Sequence, residues 1–401
     1  MTLNGGRGSG AVVASQIEAF QAAGDHVTSV STQPVCMPEV AQVPIEIDGW
    51  PMPIHDFLPN TPDAVPVYSL SPEDFAYYCK QFEHGIRAAI DQAARRKRDP
   101  VLFVHHANVQ LVAAVEVAKE KGVPVLAMPH GTDIGGYEEN GNVTAYNDGR
   151  PDGETWGRIR QALGSVSAVI AISEFMRFTQ INPHVDDHGK IHIIPNPLPK
   201  DIEGASLQGH GTAILEELVE KGEIRENDPY LLQVGIMKGW KRPLDLAEVT
   251  HSLPDNVQTL FVGADSDGLA SQVVAEGKNC VYIGPRPRKQ TQDLMRHAKA
   301  LVVSSFDEPF GLTPIEAGAF GTPAVVRPSG APPEFIRDGY NGFVAADLSV
   351  AGLAVAVRRA LAAPPELQGY ALSHYTRDRF GSENTSGRVV ALAHSFMRDE
   401  A

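Results

Sequence analysis

Apolar runs of strand length recur along the chain at Val101–His105, Val123–Met128, Ala168–Ile172 and Ile191–Ile194. They resume at Tyr230–Val234, Val257–Gly263, Cys280–Gly284, Ala300–Ser304 and Pro323–Arg327. The intervals between them are long enough for helices. One helix is fully specified: Ser71 can cap it, Pro72 suits its first turn, and Phe75, Cys79, Phe82, Ile86 and Ile90 follow at helical spacing. Strands that alternate with helices predict an α/β protein whose parallel sheets are covered by helices on both faces.

The alternation breaks around Pro195–Asn227. There Pro195-Asn196-Pro197-Leu198-Pro199 is a proline-rich breaker, followed by a polar, glycine-containing stretch. A hinge at this point predicts two Rossmann-like domains, residues 1–198 and 199–375. Residues 376–401 are expected to form a helix that packs back on the first domain. Ligands of open α/β sheets lie beyond the carboxyl ends of the strands. Two such domains facing a central cleft would hold a site between them. No repeat of short period and no low-complexity tract interrupts the pattern.

The 401 residues suit two domains, and 43% apolar residues suffice for sizeable cores. A formal net charge of -15 argues against nucleic-acid and membrane-surface partners. The three cysteines, Cys36, Cys79 and Cys280, have neither disulfide-framework nor zinc spacing, which suits a reducing cytosol. The polar, glycine-rich start does not read as a signal peptide, and no run approaches the ~20 apolar residues needed to span a bilayer. A cytoplasmic protein is expected.

The segment richest in chemistry runs from Ser304 to Phe343. A loop, Glu308-Pro309-Phe310-Gly311-Leu312, leaves an apolar strand, and Thr313-Pro314-Ile315-Glu316 opens a helix. A helix start presents unpaired N–H groups and a positive dipole end, both suited to a phosphate. Gly311 lets backbone approach a ligand closely. Glu308 and Glu316 are two carboxylates that can accept from paired hydroxyls. Spacing alone leaves a second reading open: Thr313-x-x-Glu316 is also a regular capping box, and Glu308 an ordinary loop acid.

This segment resembles the signature of glycosyltransferase family 4, in which two glutamates are separated by seven residues. Gly318, Gly321-Thr322-Pro323, Gly330, Glu334 and the turn Asp338-Gly339-x-Asn341-Gly342 fit it as well. The resemblance implies a GT-B fold, a contact of Glu308 with the donor sugar, and a contact of Glu316 with the nucleotide ribose. Phe310, Gly311, Leu312 and Thr313 would hold sugar and diphosphate, the first three through their backbone. Nearer the start, Arg7-Gly8-Ser9-Gly10 resembles the family's glycine-rich loop, so Gly8 and Gly10 are expected at the donor phosphate. Only Met1–Gly5 precede this loop, which implies a missing or very short first strand. His130, at the end of the run Val123–Met128, matches the histidine that contacts the transferred sugar. His105 and His106 end another strand and are expected to be structural.

In the second half, Lys241 stands six residues after Gly235, where the family places its phosphate-binding lysine. The family's arginine directly after that glycine is replaced by Ile236, leaving Lys238 and Arg242 either to substitute for it or to remain solvated. Arg286 lies where family members contact the base. Asp265-Ser266-Asp267 is a D-x-D tripeptide, but two acids alone are a poor hard-cation site, and a solvated loop is expected there. Glycosidases also use two acids, set across a scissile bond, whereas Glu308 and Glu316 share one loop-helix unit. The resemblance thus implies retaining transfer of a sugar from a nucleotide-diphosphate-sugar to a small acceptor. His130, Glu308 and Lys241 would act at the reaction centre, with no cofactor and no metal. The alternatives are a related GT-B phosphorylase or synthase, a non-catalytic nucleotide-sugar binder, and an NAD-dependent enzyme that uses the glycine-rich start.

Overall fold

A computed structural model of the chain describes residues 8–32, 37–45, 67, 70–131, 133–137, 143–145, 153–207, 212–364, 367 and 369–397. Residues 1–7, where the first strand was expected to be missing or very short, and Cys36 lie outside the described residues. The chain divides into two compact units. The first comprises Met1–Gly136, Thr144–Pro199 and Ser382–Ala401, and the second Tyr137–Val143 and Lys200–Gly381.

The first unit opens with α1 (Ser9–Ala22), β1 (Thr28–Ser31), β2 (Ala41–Pro44) and α2 (Pro72–Arg95). Next come β3 (Leu102–His105), α3 (Val109–Lys121) and β4 (Val125–Met128). A short two-stranded sheet, β5 (Gly135–Tyr137) and β6 (Val143–Ala145), precedes α4 (Gly153–Ser165), β7 (Ala168–Ala171), α5 (Glu174–Met176) and β8 (Ile191–Ile193). Strands β3, β4, β7 and β8 form one parallel sheet in that order, and β1 pairs with β2 in a separate parallel sheet. Helix α2 starts where the sequence predicts. The Ser71 hydroxyl accepts the Asp74 N–H at 3.1 Å, and Phe75, Cys79, Phe82, Ile86 and Ile90 are all buried. Burying each such side chain contributes about 1.5–3 kcal/mol, enough to fix which face turns inward.

The second unit contains α6 (Lys200–Glu203), α7 (Ala213–Glu220), β9 (Tyr230–Val234), α8 (Pro243–Thr250), β10 (Gln258–Val262), α9 (Ala270–Glu276) and β11 (Cys280–Gly284). The chain continues through α10 (Arg288–His297), β12 (Ala300–Val303), α11 (Leu312–Ala319), β13 (Ala324–Val326), β14 (Gly342–Val344), α12 (Val350–Leu361) and α13 (Tyr370–Phe380). Its six strands pair in the order β11-β10-β9-β12-β13-β14, every pair parallel. Building outward from β9 in one direction and then crossing back to lay β12 on its other side creates a reversal of strand order between β9 and β12. The carboxyl ends of strands at such a reversal are the usual ligand position of a doubly wound sheet.

Two expectations shift here. Strand β14 lies outside the apolar runs because the sequence around it reads as a turn: Asn341 Oδ1 accepts the Arg337 N–H at 2.6 Å, and the short strand follows at once. The second unit ends at Gly381, not residue 375, because α13 belongs to it. Arg377 on α13 donates to the Ala319 carbonyl at the end of α11, and Ser373 Oγ does so at 2.6 Å. Helix α14 (Ser386–His394) packs against α1 within the first unit.

Three neighbouring strands, β9, β10 and β11, each leave the sheet through a glycine with positive φ: Gly235, Gly263 and Gly284. At Gly263 the requirement is absolute, since a Cβ there would sit 1.7 Å from the Gly235 carbonyl oxygen. The Gly263→Ala variant is therefore expected to lose about 2–4 kcal/mol, the sum of a disallowed φ and a backbone clash. Equilibrium denaturation should show the midpoint falling with an unchanged slope. Wild-type stability would mean that the β9 and β10 exits are not packed as described.

Candidate active site

In the second unit the chemistry gathers at the reversal point. After β9 the chain runs through Gly235 into a 3-10 turn, Gly239–Lys241, and after β12 it enters the loop that carries Glu308. The two loops meet through Lys241 Nζ and Glu308 Oε2, 2.6 Å apart although 67 residues separate them. The Lys241 side chain is 20% exposed and that of Glu308 14%, so each keeps only a narrow face to solvent. Both are held from behind. Lys241 Nζ lies 3.9 Å from the centre of the Trp240 ring, and the Lys241 carbonyl accepts from Ser304 Oγ at 2.8 Å. Ser305 Oγ donates to Glu308 Oε2 at 3.0 Å. Gly330 packs so tightly beneath this loop that a Cβ would come within 2.4 Å of the Glu308 nitrogen.

Helix α11 begins immediately after this loop. Its N-cap is Gly311, at φ 84°, with no side chain capping the first turn. The capping-box reading is therefore corrected. Leu312 is the first helical residue, Thr313 lies inside the helix, and Glu316 sits too far along to reach the cap. The amides of the first turn are left available to an anion. The Phe310 side chain is buried against Phe335 and Phe380, with ring centres at 5.3 and 6.0 Å, so only the backbone of Phe310 remains for a ligand.

Glu316 Oε1 lies 3.6 Å from Arg288 Nη1. Arg288 in turn grips Asp201 with two hydrogen bonds, Nε to Oδ2 at 2.6 Å and Nη2 to Oδ1 at 3.0 Å. Burial holds the Glu316 carboxyl above the ordinary glutamate range, and Arg288 pulls it back.

The D-x-D loop is open to solvent at Asp267, which is exposed, but both acids are engaged by backbone. Asp265 accepts the N–H groups of Leu269 and Ala270 at 2.8 and 3.1 Å, and Asp267 Oδ2 accepts the Gly239 N–H at 2.8 Å. These carboxylates order the loops around Lys241. Arg242 is engaged as well. It sits at φ 52° and forms an ion pair with Asp245 at 3.0 Å, and Asp245 also binds the fully buried Arg327 at 2.6 Å. Arg286 lies just beyond β11, half-buried.

In the first unit His130 follows β4 and His105 ends β3. His105 Nδ1 and His130 Nε2 are 3.1 Å apart, one ring donating and the other accepting, and the two rings stack at 18°. The His106 ring centre lies 4.5 Å from that of His130. The fully buried Asp133 ties this cluster together. Its carboxylate accepts the N–H groups of His130 at 2.9 Å, Gly131 at 2.8 Å and Ala107 at 2.7 Å, which locks the ends of β3 and β4 to each other. Gly8 is the N-cap of α1 at φ 55°, again with no capping side chain, and Gly10 is buried in the first turn. The predicted residues thus fall in two groups: Lys241, Arg286, Glu308, Phe310, Gly311, Leu312, Thr313 and Glu316 in one unit, and Gly8, Gly10 and His130 in the other.

The family description Glycosyltransferase Family 4 matches residues 6–201, and Glycosyl transferases group 1 matches residues 215–377. The chain belongs to the GT-B glycosyltransferases of family 4 type. It is 26% identical to D-inositol 3-phosphate glycosyltransferase of Xylanimonas cellulosilytica over 201 residues, 48% of each chain. To glycogen synthase of Mycobacterium tuberculosis it is 39% identical over 87 residues, 22% of this chain and 21% of that one. The matched stretches thus span less than half the length of these two relatives. Among solved structures, sucrose-phosphate synthase from Thermosynechococcus elongatus superposes with a TM-score of 0.68 at 18% identity, covering 97% of this chain and 92% of that one. Anabaena HepE, solved in complex with UDP and glucose, gives 0.60 at 17%, covering 77% and 81%. These two share the fold.

Several residues around the predicted glycosyltransferase site escape a reading of the sequence. Asp133, Arg288 and Asp201 carry no motif. His105 and His106, expected to be structural, contact His130 directly. A strand-terminal histidine next to another was the available signal, and only the fold brings His105 within hydrogen-bond distance of His130, 25 residues on, and the His106 ring against it.

Desolvation, followed by neighbouring His106, pushes the His105 pKa down to about 3, with Asp133 opposing. The unfolded chain binds this proton near 6.5, so stability contributed by neutral His105 is complete above that pH and is lost as pH falls toward 3. The difference in unfolding free energy between wild type and His105→Asn should therefore shrink by up to about 1.4 kcal/mol per unit below pH 6.5. A difference that stays constant from pH 7 to 4.5 would show that His105 is not held neutral.

Proposed function

We propose that this glycosyltransferase moves a hexosyl group from a nucleoside diphosphate sugar to a small soluble acceptor, with retention at the anomeric carbon. The observation that carries the reading is the Lys241–Glu308 pair at the reversal point of the second-unit sheet, beside the uncapped start of α11. A cation and a row of helix-end amides suit a diphosphate. A carboxylate next to them suits sugar hydroxyls. HepE, solved with UDP and glucose on the same fold, supports a donor of this class.

In this reading Lys241 and the amides of Gly311, Leu312 and Thr313 stabilise the leaving diphosphate, and Gly8 and Gly10 belong to the proposed donor-binding residues. Glu308 accepts from the donor sugar, Glu316 from the ribose, and Arg286 lies toward the base. His130 touches the transferred sugar. The acceptor oxygen bonds to the anomeric carbon as the carbon–phosphate-oxygen bond breaks on the same face. The acceptor proton passes to the departing diphosphate. The chain then needs no protein nucleophile, and catalysis rests on positioning and charge stabilisation. Lysine and backbone amides replace a metal. Cytoplasmic location belongs to the same proposal and is supported by the buried free thiols Cys79 and Cys280; among the described residues no helix is long and apolar enough to cross a membrane.

Because Ile236 replaces a family arginine and Arg242 is committed to Asp245, Lys241 carries an unusual share of the diphosphate charge. Lys241→Ala should therefore lower transfer by 10²–10³, about 3–4 kcal/mol, the typical effect of deleting one such donor. The check is a turnover assay over a panel of nucleoside diphosphate hexoses, with product anomers read by NMR and wild type also run in EDTA. Wild-type turnover in Lys241→Ala would displace the phosphate site. Inversion of the product would refute retention, and loss of activity in EDTA would refute metal-free chemistry.

A further inference from the structure

Glu316 keeps only 12% of its side chain exposed, on a helix that supplies it with no cap partner, yet its role as a ribose acceptor needs a charged carboxylate. The groups that face it come from two other elements, Arg288 on α10 and Asp201 on α6. Their arrangement is ordered. Arg288 spends one edge of its guanidinium, Nε and Nη2, on a bidentate grip of Asp201, and Gln292 donates to the same carboxylate at 2.5 Å. The planar fork then has a fixed orientation, and its remaining corner, Nη1, is the group that meets Glu316 Oε1. A lysine could neutralise one carboxylate but could not hold two at set angles.

Resting on the ribose role given to Glu316 above, we propose that Arg288, clamped by Asp201, is a positioning residue for the nucleotide: it keeps Glu316 an anionic, hydroxyl-accepting group. The direction of the Glu316 titration agrees with this geometry. Burial and the Asp201 charge push the Glu316 carboxyl up, and Arg288 is the group that opposes them. Removing the guanidinium leaves two carboxylates facing each other without the cation, so Glu316 takes up a proton at a higher pH. A protonated acid is the poorer acceptor for a diol. The binding of ribonucleotides, and not of 2′-deoxyribonucleotides, should then become dependent on pH.

The experiment titrates UDP, ADP and their 2′-deoxy counterparts into wild type, Arg288→Gln, Arg288→Lys and Glu316→Gln from pH 8.5 to 6 by calorimetry, with a melting curve for each. Wild type should bind its preferred ribonucleoside diphosphate with little change over this range and should discriminate against the deoxy form. Arg288→Gln should bind about 10-fold more weakly near pH 8. Its affinity should fall about 10-fold per unit below the raised pKa, and the deoxy discrimination should vanish with it. Arg288→Lys should regain part of the affinity at high pH. The proposal is overturned if Arg288→Gln is as flat with pH as wild type, or keeps full deoxy discrimination, while Glu316→Gln has lost affinity and discrimination. If Glu316→Gln itself binds and discriminates as wild type does, the ribose role has failed, a result distinct from failure of the Arg288 proposal. Should Arg288→Gln melt below the assay temperature, the comparison of Arg288→Lys with wild type decides by the same two readouts.

Discussion

The contact between Lys241 and Glu308 is the constraint around which the second unit is organised. It exists because a parallel sheet with strand order β11-β10-β9-β12-β13-β14 brings the ends of β9 and β12 side by side, so the loops that leave them can touch. Two opposite charges, each mostly withdrawn from water, are seated where those loops meet. Such a pair contributes little net stability, because desolvation offsets most of the attraction. What surrounds it serves orientation: the Trp240 face, the Ser305 hydroxyl, the Asp267 carboxylate on the Gly239 amide, and glycines where strands or loops must nearly touch. Each partner therefore presents a fixed charge at the place where the adjacent α11 start presents amides. A donor diphosphate would compete with Glu308 for the lysine, and a sugar hydroxyl would compete with the lysine for Glu308.

The first unit solves the same problem with different atoms. Asp133 binds three backbone amides from two neighbouring strand ends, so the loops after β3 and β4 cannot move independently. His130 is fixed by its own amide on Asp133 and by its ring on His105. In both units the groups with chemistry lie at the carboxyl ends of parallel strands, where backbone stops pairing with backbone and side chains and glycines must satisfy it.

Much of this was legible in the amino-acid sequence because it depends on local order. The apolar runs locate every strand of the two larger sheets except β14, and Ser71-Pro72 locates α2. The stretch from Glu308 to Glu316 marks the loop-to-helix unit, and Lys241 is found by counting from Gly235. What was not legible depends on side chains brought together over distance. Thr313-x-x-Glu316 has the spacing of a capping box, but Gly311 in a left-handed conformation takes the cap and leaves Glu316 to Arg288. Asp265 and Asp267 look like free loop acids until the amides they accept are known. Strand β14 lies too close behind a turn to register as an apolar run.

Under the proposed function Glu308 holds Lys241 until a diphosphate takes it, and this has a consequence opposite to that of an ordinary binding residue. Calorimetric titration of UDP, which lacks the sugar, into wild type and Glu308→Gln is the direct test. With the carboxylate neutralised, Lys241 loses its competitor, and UDP should bind about 10-fold more tightly, the scale of one charge-assisted contact no longer broken on binding. Transfer should be lost at the same time. Weaker or unchanged UDP binding in Glu308→Gln would mean that the pair is not what the diphosphate displaces.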